Sequence, residues 1–336
     1  MDFLNAIVLL SNYVLIPSLV YGSQLALGAL GVTVVFGIMR FANFAHGEMM
    51  SFATVSTIFI TWWFQSIGLT AGILPTAILA FPFGILITSL LVWGTERSVF
   101  SYYRQRKSQP VIFVIASVGV MFILNGVVRL LVGTDEIIFM DGLKFIIKAG
   151  DFKKWSGLKE GLALKQTQVL TVVLAIMAVT WLFWFLQKTK MGKAMRAFSD
   201  NEDLALLSGI DPEKVVRATW FISAVLITLA GVLYGLDKSY KPLIYFHLLI
   251  PIFAAAIVGG IGQPIGAILG GYIVAFSEVT ATYAFKKFFR YLGPEGWSPD
   301  GLVQFLSTEY KFAVSFLILV LVLLIRPTGL FRGKVF

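Results

Sequence analysis

A chain of 336 residues with 58% hydrophobic and only 13% charged side chains, at a mean hydropathy of +0.85, is too apolar to cover a soluble globule. Its 27 Lys and Arg against 18 acids, a formal +9, would point a soluble protein towards nucleic acid, but here the cations fall in short loops between apolar runs. There they act as topology signals facing anionic lipid, and the lack of any cysteine excludes disulfides, zinc–thiolate clusters and thiol chemistry.

Near the N-terminus Asp2 stands where a secretory leader would carry its basic residues, so no signal peptide is expected. Apolar runs long enough to cross a bilayer follow over 14–39, 43–64, 73–93, 110–132, 169–186 and 218–236. A glycine-broken pair occupies 248–277 and a last span 312–325, while the run 3–10 adds a short spanning or interfacial helix. The expected fold is therefore all-α: a polytopic membrane protein of about eight transmembrane helices with broken or re-entrant glycine-rich segments, residues 1–336 forming one transmembrane domain. Lys and Arg concentrate at Arg97, Arg104, Arg106 and Lys107, along 188–217, and at Arg326, Arg332 and Lys334, and these loops are expected on the inner side. The N-terminus and the loops 133–165 and 278–309 then lie outside, which requires 248–277 to enter and leave on one side.

The first interruption, IMRFANFAHGEMM, places Arg40, Asn43, His46 and Glu48 within nine residues between two apolar spans. Ionisable groups at membrane depth are costly and mark function. On a straight helix Glu48 points away from His46, so either Gly47 breaks the helix or the group serves two surfaces. The alternative is an inner turn, with Arg40 snorkelling to headgroups and Asn43 capping the next helix.

The segment 188–217 carries a helical apolar face, Met191, Ala194, Met195 and Phe198, with Lys190, Lys193 and Arg196 elsewhere around it. Ser199 with Glu202 three residues on has the form of a capping box for a second short helix through Leu207, which Gly209 can close. Asp211 followed by Pro212 marks a further helix start. Two short helices and a defined re-entry make a rigid module that lies on lipid or fits a groove on an inner partner.

Further on, AAAIVGGIGQPIGAILGG repeats Gly262, Gly266 and Gly270 at a spacing that gives one smooth helical face. Gly259, Gly260 and Pro264 add the ingredients of a helix break. Both a plain glycine-packed pair and a turn lining a translocation path fit this pattern.

Taken together, VVFGIMRFANFAHGEMM, GKAMRAFSDNEDLALLSGIDPEKV and FAAAIVGGIGQPIGAILGG resemble the LivH-type permease subunits of bacterial branched-chain amino acid ABC importers, in order, spacing and flanking hydropathy. The resemblance implies a multi-pass permease of the bacterial inner membrane that pairs with a second permease subunit. It further implies delivery of solute by a periplasmic solute-binding protein and drive from two cytoplasmic ATP-binding subunits, with no cofactor and no nucleic acid. It assigns ATPase coupling to Gly192, Ala194, Arg196, Ala197, Leu207, Gly209 and Ile210. It marks Asn43, His46, Gly47 and Glu48 as the amino-terminal signature and Gly259, Gly260, Gly262 and Gly266 as the carboxy-terminal one, together the expected substrate pathway. Where many members read Gly-Ser-Ile-Pro-Gly, this chain has Gly262-Gln263-Pro264-Ile265-Gly266, and a Gly-Gln element also occurs in related urea permeases.

No phosphate-binding loop is present, since Gly333-Lys334 has neither the spacing nor a following Ser or Thr, so ATP is expected to be hydrolysed by another polypeptide. Two other classes are weaker: a proton-coupled carrier would have only His46 and Glu48 as a relay, and an enzyme would need convergent catalytic groups, whereas His46 and His247 are the only histidines.

Overall fold

The computed structural model describes residues 2–142, 144–294 and 297–331; Arg332, Gly333 and Lys334 of the tail lie outside the described residues. Helix α1 (Asp2–Leu10) continues through a π-helical turn, Ser11–Leu15, into α2 (Ile16–Met39). Helix α3 (His46–Ser66) follows, and α4 (Ala77–Thr95) passes through a second π-helical turn, Glu96–Phe100, into the short α5 (Ser101–Gln105). After α6 (Pro110–Val132) comes an antiparallel pair, β1 (Phe145–Ile147) and β2 (Leu164–Lys165), enclosing α7 (Ala149–Ser156). Then follow α8 (Gln166–Lys188), α9 (Lys190–Asp200), α10 (Glu202–Leu207), α11 (Pro212–Lys238), α12 (Pro242–Gly259), α13 (Pro264–Thr282), α14 (Lys286–Leu292) and α15 (Lys311–Ile325).

Helix α2 is the centre of the bundle, because a helix apolar all round has no face to give to water. Residues 20–38 are buried without exception, packed by α11, α12 and α13. Small residues permit this closeness: a Cβ on Gly28 would lie 2.9 Å from Ile252 and one on Gly31 2.8 Å from the His46 ring. Helices α6, α8 and α15 instead carry exposed apolar side chains such as Ile123, Trp184 and Leu324, the surface expected of helices facing lipid.

Eight described helical segments are long and apolar enough to cross a membrane. Helix α3 makes a further crossing by connectivity, and its polar content is managed internally: Thr54, Thr57 and Thr61 each donate to the carbonyl four residues back at 2.8 Å. One end of the bundle gathers Arg40 against Ser199, Arg104 against Glu213, and Leu330 against the end of α12. The other gathers Gln65 with Phe139, Tyr240 with Ile137, and Tyr291 with Glu160. The cation-rich segments 97–107 and 188–217 share the first end, called inner below, and the 133–165 loop lies at the opposite, outer end, as the charge distribution predicts. In that outer loop the Lys241 ammonium, 2.8 Å away, and the Ser239 hydroxyl hold the Glu136 carboxyl below the usual carboxylate range.

The glycine-rich region forms an antiparallel hairpin of two span-length helices, α12 and α13, entering and leaving at the outer end. It differs from expectation in length. Helix α13 runs to Thr282, so Glu278 lies fully buried instead of in an outer loop, 3.5 Å from the Lys311 ammonium and accepting from Ser315. Pairing across helices lets a carboxylate remain inside an apolar bundle, which a reading by hydropathy alone stops short of.

Candidate functional site: an inner elbow and the glycine hairpin

The elbow begins where Thr189 leaves α8 in extended conformation and its hydroxyl accepts from the Gly192 N–H at 2.9 Å, capping α9. The chain doubles back so tightly that a Cβ on Gly192 would collide with the Phe185 carbonyl. Gly192, Met195 and Phe198 are buried against the bundle, Met191 and Ala194 are half-buried, and Lys193, Arg196 and Ala197 are exposed. The expected capping box is replaced: Ser199 remains inside α9, and Asn201 caps α10 by accepting from Leu204 N–H at 3.0 Å. The extended backbone of Asn201 frees its side chain to reach forward, whereas Ser199 still has helical neighbours on both sides. Gly209, at φ +78°, closes α10 in the left-handed region as expected, with Ile210 N–H on the Ala205 carbonyl. Leu207 is exposed, and Asp211 caps α11 through Glu213 and Lys214 N–H.

Two attachments of the elbow were not legible in the sequence. Arg40, one residue past the end of α2 and at φ +57°, donates to the Ser199 carbonyl near the end of α9, where a cation suits the helix dipole. It therefore ties the central helix to the elbow instead of reaching for headgroups. Arg104 bridges Glu96, buried in the π-helical turn, to Glu213 at the start of α11, and Glu96 also accepts from Trp220 Nε1 at 2.7 Å. Phe100 stacks on Trp220 with centroids 5.5 Å apart, so this network fixes the inner end of α11. Its signal was an acid beside an apolar run, masked by counting Arg104 only as a topology charge.

The amino-terminal signature serves two surfaces. Asn43 precedes α3 and accepts from Ala45 N–H at 3.1 Å. His46 is fully buried against Gly31 of α2. Glu48, also buried, turns to α6 and accepts from Asn125 at 2.9 Å. A lone Asn inside an apolar span was the available clue to that partner. Gly47 gives room to α12: a Cβ there would lie 2.7 Å from the Tyr245 carbonyl.

The carboxy-terminal signature divides differently from its spacing. Gly259 and Gly266 face each other's carbonyls and Gly270 faces that of Ala255, each too close for a Cβ, so α12 and α13 pack backbone to backbone. Gly262 is not on that face. With Gly260 at φ +107° and Gly262 at +83°, the two form the turn between the helices, where left-handed backbone is required and a 3.6-residue spacing has no meaning. The carbonyls of Val258 and Gly259 accept from Leu330 and Phe331 N–H, satisfying the end of α12. His46 lies against α2 and Glu48 against α6, and between them Gly47 meets Tyr245 in the first turn of α12, at the other end of that helix from this turn. Gly262 instead borders, with Gln263, Arg196, Met195 and Thr33, an inner-end cavity of about 290 Å³.

A bundle of span-length helices around one central buried helix, with a polar module folded against its inner end, defines a polytopic integral membrane protein. The chain belongs to the family described as branched-chain amino acid transport system / permease component, matched over residues 14–323. It is 31% identical to the high-affinity branched-chain amino acid transport system permease protein LivH of Escherichia coli strain K12, over 92% of this chain and 91% of that protein. It is 29% identical to the permease protein BraD of Pseudomonas aeruginosa, over 94% of each chain. A probable branched-chain amino acid permease LivH of Methanocaldococcus jannaschii is 30% identical over 93% of this chain and 90% of that one. It is thus a multi-pass permease of the bacterial inner membrane and one component of an ABC import system.

Proposed function

We propose that this permease translocates branched-chain or other small apolar amino acids, the whole of residues 1–336 acting as one permease domain without catalytic chemistry of its own. The observation that carries the reading is its near full-length similarity to permeases named for branched-chain amino acid transport. It works with a second permease subunit, a periplasmic solute-binding protein and two cytoplasmic ATP-binding subunits. Gly192, Ala194, Arg196, Ala197, Leu207, Gly209 and Ile210 form the elbow that receives the ATPase stroke. That role is supported by the seating of α9 against α2, α8 and α11, which would pass a displacement to three spans at once. Asn43, His46, Glu48, Gly259, Gly260, Gly262 and Gly266 flank the path: the first three through buried polar groups, Gly259 and Gly266 by letting α12 and α13 slide at backbone contact, and Gly260 and Gly262 by turning the chain between them.

The test is uptake of labelled leucine, urea and acetamide by cells lacking this gene, with and without its restoration. Restored, ATP-dependent leucine uptake supports the reading. Restored uptake of urea or acetamide without leucine replaces it with an amide permease, and uptake that survives ATP depletion under a maintained proton gradient replaces it with a secondary carrier.

A further inference from the structure

The inner end carries a further cavity, about 360 Å³ in volume, between the turn joining α4 to α5 and the start of α11. Three guanidiniums line it, those of Arg97, Arg104 and Arg217, against two carboxylates, those of Glu96 and Glu213. Both carboxylates answer to one cation. Glu96 gives one oxygen to Arg104 and the other to Trp220 Nε1, and Glu213 accepts from the same Arg104 at 3.2 Å. Arg97 and Arg217 are left over: both are exposed, and neither forms an ion pair among the described residues. The cavity therefore keeps a surplus of positive charge, and the attraction it offers is to an anion.

The surroundings say which anion. Phe83, Leu86, Leu90 and Trp93 follow one another at helical spacing along α4, all exposed, and the next position on that stripe is Arg97 in the π-helical turn. An apolar track of the kind lipid covers thus runs directly into the cationic cavity. The Arg97 guanidinium lies 5.7 Å from the centre of the Trp93 ring, and nearby Arg106 stands 4.3 Å over Tyr102. Half-exposed aromatic rings carrying cations at the end of a span are the pattern of a headgroup layer. The walls are also fixed in advance, since the Arg104 bridge and the stacking of Phe100 on Trp220 hold α5 and α11 at a set separation.

We infer that this cavity seats the headgroup phosphate of an anionic phospholipid. Arg97 and Arg217 meet its oxygens from the α4 and α11 sides, as basic pockets between spans do. Ser101, whose hydroxyl accepts from Gln105 at 3.3 Å, offers its own proton to the headgroup, and an acyl chain lies along Leu90, Leu86 and Phe83. The site is separate from any solute path and holds whichever solute the permease carries.

The test takes the complete transporter, purified and stripped of lipid in neutral detergent, and titrates it with dioleoyl phosphatidylglycerol or dioleoyl phosphatidylcholine. Native mass spectrometry counts the lipid retained on the permease. Phosphatidylglycerol is expected to be held in preference, and Arg97→Gln with Arg217→Gln to weaken its binding roughly 30-fold, the usual contribution of one basic side chain at a lipid surface taken twice. Binding of phosphatidylcholine should not move. Lys214→Gln, at the same end but outside the cavity, is expected to bind as the unsubstituted protein does. Should the double variant fail to insert, Arg217→Gln alone carries the measurement, with a loss of roughly fivefold. Equal phosphatidylglycerol binding with and without the two arginines overturns the inference, as does an equal loss in Lys214→Gln. Displacement of the lipid by inorganic phosphate at matching concentration would assign the site to a free anion. Binding to the isolated permease but not to the assembled transporter would give the arginines to an ATP-binding subunit, and either result overturns the lipid assignment.

Discussion

At the elbow, single residues are decided by contact distance more than by chemistry. Gly192 has backbone on two sides, and any side chain there must push α9 away from the end of α8. Gly192→Ala is therefore expected to leave the protein inserted and abundant but to lower leucine uptake while ATPase turnover of the assembled transporter persists, as coupled uptake and phosphate-release assays would show. Unchanged uptake would mean that α9 need not be held against α8 to transmit force. Arg104 acts through charge: its loss strands Glu96, buried in the π-helical turn, without its cation. Arg104→Ala is expected to cost roughly 3 kcal/mol or more, in the range for breaking a buried pair from one side, seen as a lowered melting temperature of the purified permease. A double substitution with Glu96→Gln should recover part of it.

At the scale of elements, the α12–α13 hairpin depends on a face without side chains. Gly266→Leu or Gly270→Leu drives a branched side chain into the facing carbonyl and is expected to abolish accumulation of the folded protein, measured by membrane expression and size-exclusion profile, whereas Gly262→Ala, in open space but at positive φ, should be milder. This hairpin also marks the limit of reading by pattern. The spacing of Gly262, Gly266 and Gly270 suggested one face, and two of the three are on it. Gly262 is not, because Pro264 starts α13 just after it and the chain turns there. The spans themselves were legible, since 20-residue apolar runs leave little choice in a bilayer. The ends were less so, because α13 carries Glu278 inside the bundle, where it pairs with Lys311, a partner some thirty residues away that no local pattern can announce.

Across the whole molecule, the cation-rich loops, the elbow and the glycine turn share one end, and the long loops share the other, so the charge distribution of the sequence already held which segments gather together. The two signatures were also legible as polar or glycine-rich breaks. What the sequence could not give was their partners: His46 turns to α2, Glu48 to α6, and Gly259 to Gly266. These are contacts between helices far apart in the chain, settled by how the bundle closes around α2. The strand of main chain beyond α15 has a consequence of its own. Leu330 and Phe331 hand their amide protons to the two carbonyls at the foot of α12, and Gly329 fits against Gly260 where a methyl group would not. Gly329, Leu330 and Phe331 are thus a latch beneath the hairpin, and a protein shortened ahead of Gly329 would bare two acceptors where water is scarce, loosening the turn between α12 and α13.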